Sequence, residues 1–248
     1  MNPAARSDFP RRLLLTGASG TLGDACARAL AAQGWALLLH AHHGAQRVAA
    51  LVDELHDDGA QAEALICDLT NVAATHAAIA HALAQAPITA LVHAAGVHDD
   101  APMAGMRAEQ WHGVIDLSLH GFFHAAQPLL LPMARARFGR IVALGSVAAR
   151  LGNRGQTNYA AAKAGLEGAA RSLAREMASR GVTVNVVAPG IIASPMSDAA
   201  FTAEHINALV PAQRAGTPEE VAALVAFLCS DAAGYINGQV IGVNGGMA

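Results

Sequence analysis

From Arg12 onward, short apolar runs alternate with longer alanine-rich stretches of helical period, and this alternation constrains the fold more than any other feature. Strand, helix and strand in that order form a parallel βαβ unit, so the chain predicts a parallel sheet with helices on both faces. The predicted strands are Leu13–Thr16, Ala36–His40, Glu63–Cys67, Ala90–His93, Arg140–Leu144, Thr183–Val187 and Gln239–Val243. The predicted helices cover residues 22–33, 45–58, 72–85, 108–136, 156–179 and 218–230.

Charge and composition narrow the class of partner. The 248 residues carry a formal charge of -3, and because nucleic-acid binding needs a basic face, small-molecule chemistry is favoured. Residues 1–11 lack the apolar stretch of a secretory signal and predict a flexible tail ahead of one domain, residues 12–248. Cys26, Cys67 and Cys229 show neither metal-ligand spacing nor a disulfide framework, so reduced thiols in a cytoplasmic protein are expected.

The first predicted strand leads into T-G-A-S-G-T-L-G, Thr16 to Gly23, and then into a helix. Glycines let a backbone approach a pyrophosphate, and a helix N-terminus offers it unpaired N–H groups. Ligands of doubly wound sheets gather at the carboxyl ends of the strands, so the chain predicts a Rossmann-type α/β fold, a doubly wound seven-stranded parallel sheet, with a dinucleotide site there. The loop residues expected to hold the cofactor are Gly17, Ser19, Gly20, Thr21, Leu22 and Gly23.

The second predicted strand ends at His40, and His42 and His43 follow, where enzymes that prefer NAD place a carboxylate. Without that carboxylate a 2′-phosphate meets no repulsion, and it finds His or Arg donors, Arg47 among them. NADPH is therefore favoured over NADH, with His42 as the expected contact. A metal site among the histidines is not favoured, because neighbours on a strand point to opposite faces and no further ligand is identifiable.

Gly145 and Ser146 directly follow the fifth predicted strand, and Tyr159 and Lys163 come later, four residues apart, on one face of a helix. Alone, that pair is typical of a helix surface. A nearby ammonium favours the phenolate and lowers the phenol pKa from about 10, which suits proton transfer. Ser146 would donate to a substrate carbonyl oxygen, Tyr159 would protonate it, and the hydride would come from the nicotinamide C4.

Together these motifs resemble the short-chain dehydrogenase/reductase family, whose loop has the form T-G-x-x-x-G-x-G. Residues 145–165, 172–190 and 243–247 are most similar to bacterial 3-oxoacyl-acyl-carrier-protein reductases. The resemblance implies reduction of a 3-oxoacyl thioester by a homotetramer built through two long helices, or by a hetero-oligomer with a related subunit. It further implies cofactor contacts at Asp68, Leu69, Ala95, Gly96, Tyr159, Lys163, Pro189, Gly190 and Ile192, and carrier-protein docking at Arg137 and Arg180.

Several residues depart from the family pattern. Thr21 stands at the middle glycine, and His93 and Ala94 replace both asparagines of N-N-A-G. Ser118 replaces the fourth catalytic residue, an asparagine, so a relay from Lys163 to solvent would run through a differently placed water. These departures motivate a rival interpretation, a structural subunit of a reductase oligomer. The intact Ser146, Tyr159 and Lys163 favour an active enzyme, and Asp68 has the alternative of a turn or helix-cap role.

Residues 190–217 interrupt the alternation, carry a predicted short helix at 203–209, and predict a substrate lid. The apolar lid residues Met196, Phe201 and Leu209 do not specify a substrate, so a small-ketone or alcohol dehydrogenase of the same fold is an alternative. Two stretches, 98–106 and 129–133, resemble reductases associated with aryl polyene pigment clusters, which would act on polyunsaturated aryl thioesters.

Overall fold

Seven parallel strands form one sheet, in the order β3-β2-β1-β4-β5-β6-β7, in the computed structural model, which describes residues 11–194 and 201–248. The winding direction reverses between β1 and β4, so the predicted doubly wound sheet is confirmed. The strands are β1 (Arg12–Thr16), β2 (Ala36–Ala41), β3 (Ala62–Ile66), β4 (Ala90–His93), β5 (Gly139–Leu144), β6 (Val182–Pro189) and β7 (Val240–Val243).

Helices cover both faces of the sheet. They are α1 (Thr21–Ala32), α2 (Ala45–Asp57), α3 (Val72–Gln85), α4 (Ala108–Ile115), α5 (Gly121–Ala136), α6 (Ala148–Leu151), α7 (Thr157–Met177), α8 (Ala203–Leu209) and α9 (Pro218–Cys229). The start of α9 is fixed by a capping box, in which Thr217 Oγ1 accepts from Glu220 N at 3.3 Å and Glu220 Oε2 accepts from Thr217 N at 2.8 Å. The four-residue α6 was not predicted, because it is too short to show a helical period.

The helix predicted over residues 108–136 is divided in the structure. Between α4 and α5 lies a π-helical turn, Asp116–His120, which contains Ser118. Such a turn changes the backbone hydrogen-bond pattern while leaving the apolar rhythm on either side nearly unchanged, so the sequence predicted one continuous helix. The turn is buried against the sheet at Ser118.

Alternate residues of the central strands face different helix layers. In β1, Leu13 and Leu15 belong to the core shared with α1, α2 and α9, whereas Leu14 belongs to the core shared with α3, α5 and α7. These leucines are at most 1% exposed, and burying each contributes roughly 1.5–3 kcal/mol. Because both faces of the strands are filled, polar chemistry is confined to the strand ends.

The predicted short helix over residues 203–209 is confirmed as α8. Met196 and most of the predicted tail lie outside the described residues. Within the described ranges, no helix combines the length and apolarity needed to cross a membrane. Cys26 and Cys229 are buried free thiols, and Cys67 is partly exposed and also free.

Candidate active site

The loop between β1 and α1 depends on two glycines that closely approach other backbone. Gly17 has φ of 71°, and a Cβ on it would lie 2.7 Å from Ala95 N. A Cβ on Gly23 would overlap the carbonyl oxygen of Gly17. Gly20 is different, since an added Cβ there would meet only Gly17 O, at an ordinary 3.5 Å. The tight packing of the loop therefore rests on Gly17 and Gly23, while Gly20 lies open to the crevice.

The N-terminus of α1 fits the pyrophosphate of a dinucleotide. The helix begins at Thr21 after Gly20, and no side chain caps it. Its first N–H groups are therefore available to a ligand, and the positive end of the helix dipole points the same way. Ser19, Gly20 and Thr21 are partly or fully exposed, whereas Leu22 is partly buried against the core.

His40, on β2, holds this loop from below. Gly17 N donates to His40 Nδ1 at 3.3 Å, and Ala18 N donates to the His40 carbonyl at 2.9 Å. The other ring nitrogen, Nε2, lies 3.0 Å from Cys67 O, and because a carbonyl only accepts, that nitrogen carries the proton. Burial lowers the pKa of His40, which favours this neutral form. The sequence pattern did not reveal this role.

His42 and Asp68 meet at the same edge, beyond the ends of β2 and β3. His42 and His43 are exposed, with ring centroids 3.8 Å apart, and His42 Nδ1 lies 3.8 Å from Asp68 Oδ1. Asp68 Oδ1 accepts from Thr70 N at 2.9 Å, and this bond is the main cause of the lowered pKa of the carboxyl. Asp68 therefore stabilises the turn after β3, and Asn71 caps α3, while the cofactor contact expected at Asp68 stays a prediction. No group of three metal-ligating side chains occurs in the described ranges.

The structure brings Ser146, Tyr159 and Lys163 together at the carboxyl edge of the sheet. Lys163, on α7, is 4% exposed, and its Nζ donates to Leu144 O at 2.8 Å and lies 5.5 Å from the Tyr159 ring centroid. Burial lowers the pKa of Lys163 to about 8. Ser146, just beyond β5, forms a hydrogen bond with the Tyr159 side chain.

The pKa of the Tyr159 phenol is raised, not lowered. Burial of the phenol raises it most, the hydrogen bond with Ser146 lowers it, and the charge of Asp100 raises it again. The expectation of a lowered phenol pKa is therefore wrong for this structure, because the effect of burial outweighs that of the hydrogen bond with Ser146. The phenol keeps its proton near neutral pH, as a proton donor must.

Ser118 lies beside Lys163 in the interior. Ser118 is fully buried, and its Oγ has no hydrogen-bond partner among the described residues. A Cβ on Gly96 would lie 3.2 Å from Ser118 Oγ and 3.3 Å from Lys163 Nζ. The hydroxyl and the ammonium thus border one small space, which is open because residue 96 is glycine.

Asn158, directly before Tyr159, is a further buried polar residue that the sequence analysis missed. Its Nδ2 donates to Asp99 O and to Gln110 O, each at 3.0 Å, and its Oδ1 accepts from Tyr159 N at 2.8 Å. One amide therefore joins the loop after β4, helix α4 and the start of α7. Its position next to the candidate acid was the only available signal.

The other predicted cofactor residues follow strand ends at this edge: Leu69 after β3, Ala95 and Gly96 after β4, and Pro189, Gly190 and Ile192 at and after the end of β6. Arg137 and Arg180 do not lie there. They precede β5 and β6, and Arg137 Nη2 donates to Ser179 O at 3.2 Å. The six residues of β5 span about 20 Å. This pair therefore lies near the amino ends of the strands, whereas Ser146 lies at their carboxyl ends.

His93, the last residue of β4, makes two buried hydrogen bonds. Its Nε2 lies 3.1 Å from Ser118 O, and its Nδ1 lies 3.0 Å from Thr16 Oγ1, which accepts from Ala95 N at 3.2 Å. Burial, with a smaller effect from the Lys163 charge, lowers the pKa of His93 to about 3. His93 is therefore neutral in the folded protein near neutral pH.

This low pKa predicts a loss of stability in acid. Below the ordinary His pKa of 6.5 the unfolded chain binds a proton that folded His93 refuses, so the free energy of unfolding falls as the pH drops from 6.5 toward 3. We expect the plot of that free energy against pH to be shallower by about 1 kcal/mol per pH unit in His93→Gln between about pH 5.5 and 4. Urea unfolding at several pH values measures both slopes, and parallel curves would contradict the assignment.

Comparison with known proteins agrees with this architecture. Residues 17–248 match the family described as Enoyl-(Acyl carrier protein) reductase. The chain is 43% identical over 239 residues to the 3-oxoacyl-[acyl-carrier-protein] reductase FabG of Escherichia coli strain K12, covering 94% of this chain and 96% of that one. It is 42% identical over 236 residues to the 3-oxoacyl-[acyl-carrier-protein] reductase of a Synechocystis strain, covering 94% and 95%.

A solved structure from Agrobacterium tumefaciens, provisionally described as a gluconate dehydrogenase, matches with a TM-score of 0.92 and 32% identity over 96% of both chains. These likenesses extend over nearly the whole chain and include the glycine loop and the helix that carries Tyr159 and Lys163. The chain therefore belongs to the short-chain dehydrogenase/reductase family of NAD(P)-dependent oxidoreductases.

Proposed function

We propose that the protein reduces a 3-oxoacyl thioester, carried on acyl carrier protein, to the 3-hydroxyacyl thioester with NADPH. The observation that carries this proposal is the grouping of Ser146, Tyr159 and buried Lys163 beside an uncapped helix N-terminus and a glycine loop. Two relatives named as 3-oxoacyl-[acyl-carrier-protein] reductases support the substrate class.

When bound, the nicotinamide supplies the hydride that reduces C3 of the substrate. Ser146 donates a hydrogen bond to the 3-oxo oxygen, and Tyr159 transfers its phenolic proton to the same oxygen as negative charge develops there. The ammonium of Lys163 then stabilises the phenolate that remains. The transferred proton leaves with the 3-hydroxyl product, so a new proton from solvent must reprotonate Tyr159, and Ser118 Oγ and the space over Gly96, which adjoin Lys163, are the candidate route for it.

The preference for NADPH is tested by introducing a negative charge at position 42. In His42→Asp a carboxylate replaces a donor beside the expected 2′-phosphate, so we expect the Kd for NADPH to rise at least about tenfold while the Kd for NADH changes less. Fluorescence titration measures both constants. The control is His81→Asp, which makes the same charge change on an exposed position of α3. Equal losses for the two nucleotides would overturn this role of His42.

Carrier docking at Arg137 and Arg180 requires a second subunit. The pair lies at the amino ends of the strands and Ser146 at their carboxyl ends. A carrier bound to the pair therefore reaches only the crevice of a neighbouring copy, as in the proposed homotetramer. The exposed apolar residues Phe123 and Leu131 on α5 support such an association. The alternative assembly, a hetero-oligomer with a related subunit, would bring a different crevice to the pair.

We expect Arg137→Glu/Arg180→Glu to raise the KM for the carrier-linked substrate at least about tenfold while leaving the KM for the coenzyme A thioester unchanged. The two charge reversals repel an acidic carrier and leave the crevice untouched. Steady-state kinetics with both substrates gives the comparison. An equal change in both KM values would point to altered assembly, and no change in either would remove the docking role.

The decisive experiment follows NADPH oxidation by the full chain with acetoacetyl thioesters of acyl carrier protein and of coenzyme A, with cofactor titrations alongside. We expect rapid oxidation, faster with the carrier-linked substrate. Turnover of free ketones alone would instead support a small-ketone dehydrogenase, and no binding of either nucleotide would support the structural subunit. Competition by a polyunsaturated aryl thioester tests the narrower substrate suggested by residues 98–106 and 129–133.

A further inference from the structure

The strongest unexplained feature outside the Ser146, Tyr159 and Lys163 group is the fully buried imidazole of His93. His93 stands where similar reductases have the first asparagine of N-N-A-G, and Ser118, which it contacts, stands where they have another asparagine. Two departures from one pattern are thus joined by a direct hydrogen bond. The bond ends on the main-chain carbonyl of residue 118, so His93 acts on the backbone that carries the Ser118 side chain.

The bonds around His93 run in one direction. Because the Ser118 carbonyl can only accept, His93 Nε2 must donate to it, and in a neutral ring Nδ1 must then accept. Thr16 Oγ1 receives the N–H of Ala95 and gives its own proton to Nδ1. A single chain of donors therefore runs from the loop after β4, through the end of β1, to the π-helical turn.

The π-helical turn depends on the hydrogen bond from His93 to hold its backbone in place. Ser118 lies in a π-helical segment, where the backbone hydrogen-bond pattern departs from that of the flanking α-helices. The serine side chain provides no bond to hold the segment, since its Oγ has no partner among the described residues. The backbone carbonyl of the same residue, by contrast, is bonded to a rigid ring that is packed against Phe122 at 5.6 Å between centroids.

We propose that His93 is a positioning residue, which fixes the π-helical turn so that Ser118 Oγ stays beside Lys163 Nζ across Gly96. His93 itself does not reach the crevice, because it is fully buried beneath the loop. It acts through the Ser118 carbonyl, and it compensates for the short serine side chain by holding the backbone that carries it.

Two substitutions separate the two bonds of the ring. The amide nitrogen of glutamine lies as far from Cα as Nε2, so His93→Gln keeps a donor for Ser118 O and loses the bond with Thr16. Asparagine reaches only as far as Nδ1, so His93→Asn keeps a partner for Thr16 and loses the donor to Ser118. The matched control is His56→Asn, which removes an imidazole-to-carbonyl bond of 2.8 Å to Ala62, at the start of β3.

Hydrogen exchange of residues 114–122 provides a readout that does not depend on the proposed reaction. We expect the amides of this segment to exchange about tenfold faster in His93→Asn, because a bond to a buried carbonyl is lost, and to stay near the wild-type rate in His93→Gln and His56→Asn. Wild-type exchange in His93→Asn, or equal acceleration in both His93 variants, would overturn the proposal.

The kinetic readout rests on the proposed reduction. We expect kcat to fall about tenfold in His93→Asn, with the KM for the thioester and the Kd for NADPH within about threefold of wild type, and to be largely restored in His93→Gln. A rise in the NADPH Kd with unchanged kcat would mean that His93 supports only the cofactor loop, and would overturn this role. If the wild-type protein reduces no thioester, the proposed function fails while the exchange result still decides the role of His93.

Discussion

Tyr159→Phe is expected to lower the kcat of thioester reduction by about a thousandfold, while the Kd for NADPH stays within about threefold of wild type. The substitution removes the phenolic proton but keeps the ring, which is partly buried between Ser146 and Lys163. The raised pKa of this phenol means that the lost group is the protonated acid. Single-turnover measurement of NADPH oxidation isolates the chemical step from product release.

Tyr235→Phe is the matched control. The chain has two tyrosines, and Tyr235 is fully exposed beyond α9. It therefore undergoes the same chemical change without any contact with the crevice, and its kcat should equal that of wild type. A near-normal rate in Tyr159→Phe would assign proton donation to another group, and an equal loss in both variants would trace the effect to assembly of the subunits.

The second large effect is expected at Gly23. In Gly23→Ala the new Cβ overlaps the carbonyl of Gly17 and lies 2.8 Å from Ala18 Cα, so rigid backbone must move. We expect the free energy of unfolding to fall by about 1–3 kcal/mol, the usual cost of overpacking. We also expect NADPH binding to be lost, because the displaced loop no longer keeps the backbone arrangement expected to hold the pyrophosphate. Urea unfolding and fluorescence titration measure the two effects.

Gly20→Ala separates the loop's packing from its contact with the ligand. The added Cβ meets only Gly17 O, at 3.5 Å, so the stability of the protein should not change. The same Cβ projects at the exposed start of α1, and we expect it to raise the NADPH Kd if the pyrophosphate approaches at Gly20 in place of Thr21.

Wild-type stability in Gly23→Ala would show that the loop is not packed as described.

The sequence predicted the sheet and most helices because the central strands are buried on both faces and the helices on one, which produces two distinct apolar rhythms. It placed Ser146, Tyr159 and Lys163 at one edge because the carboxyl ends of parallel strands share that edge. It did not reveal the π-helical turn at Asp116–His120, whose backbone change leaves side-chain periodicity almost intact.

The roles of His40, His93 and Asn158 were also missed, for a different reason. Each acts through hydrogen bonds to segments far along the chain, and such partners have no periodic signature in the sequence. The direction of the Tyr159 pKa shift was wrong because the residue spacing reveals the neighbouring ammonium but not the depth of burial. Local rules therefore predicted which residues meet, and the three-dimensional packing decides their chemical state.

The two hydrogen bonds of the His40 ring have a consequence for engineering the cofactor preference. A redesign for NAD would install an acidic residue near the end of β2. Positions 40 and 42 are both candidates, because both lie in the same histidine-rich segment. Yet His40 supports Gly17 through Nδ1 and is tied to Cys67 through Nε2, whereas His42 is exposed. An acidic residue at position 42 therefore leaves the support of the loop in place, whereas a library that randomises position 40 would remove both hydrogen bonds of the His40 ring from most of its members.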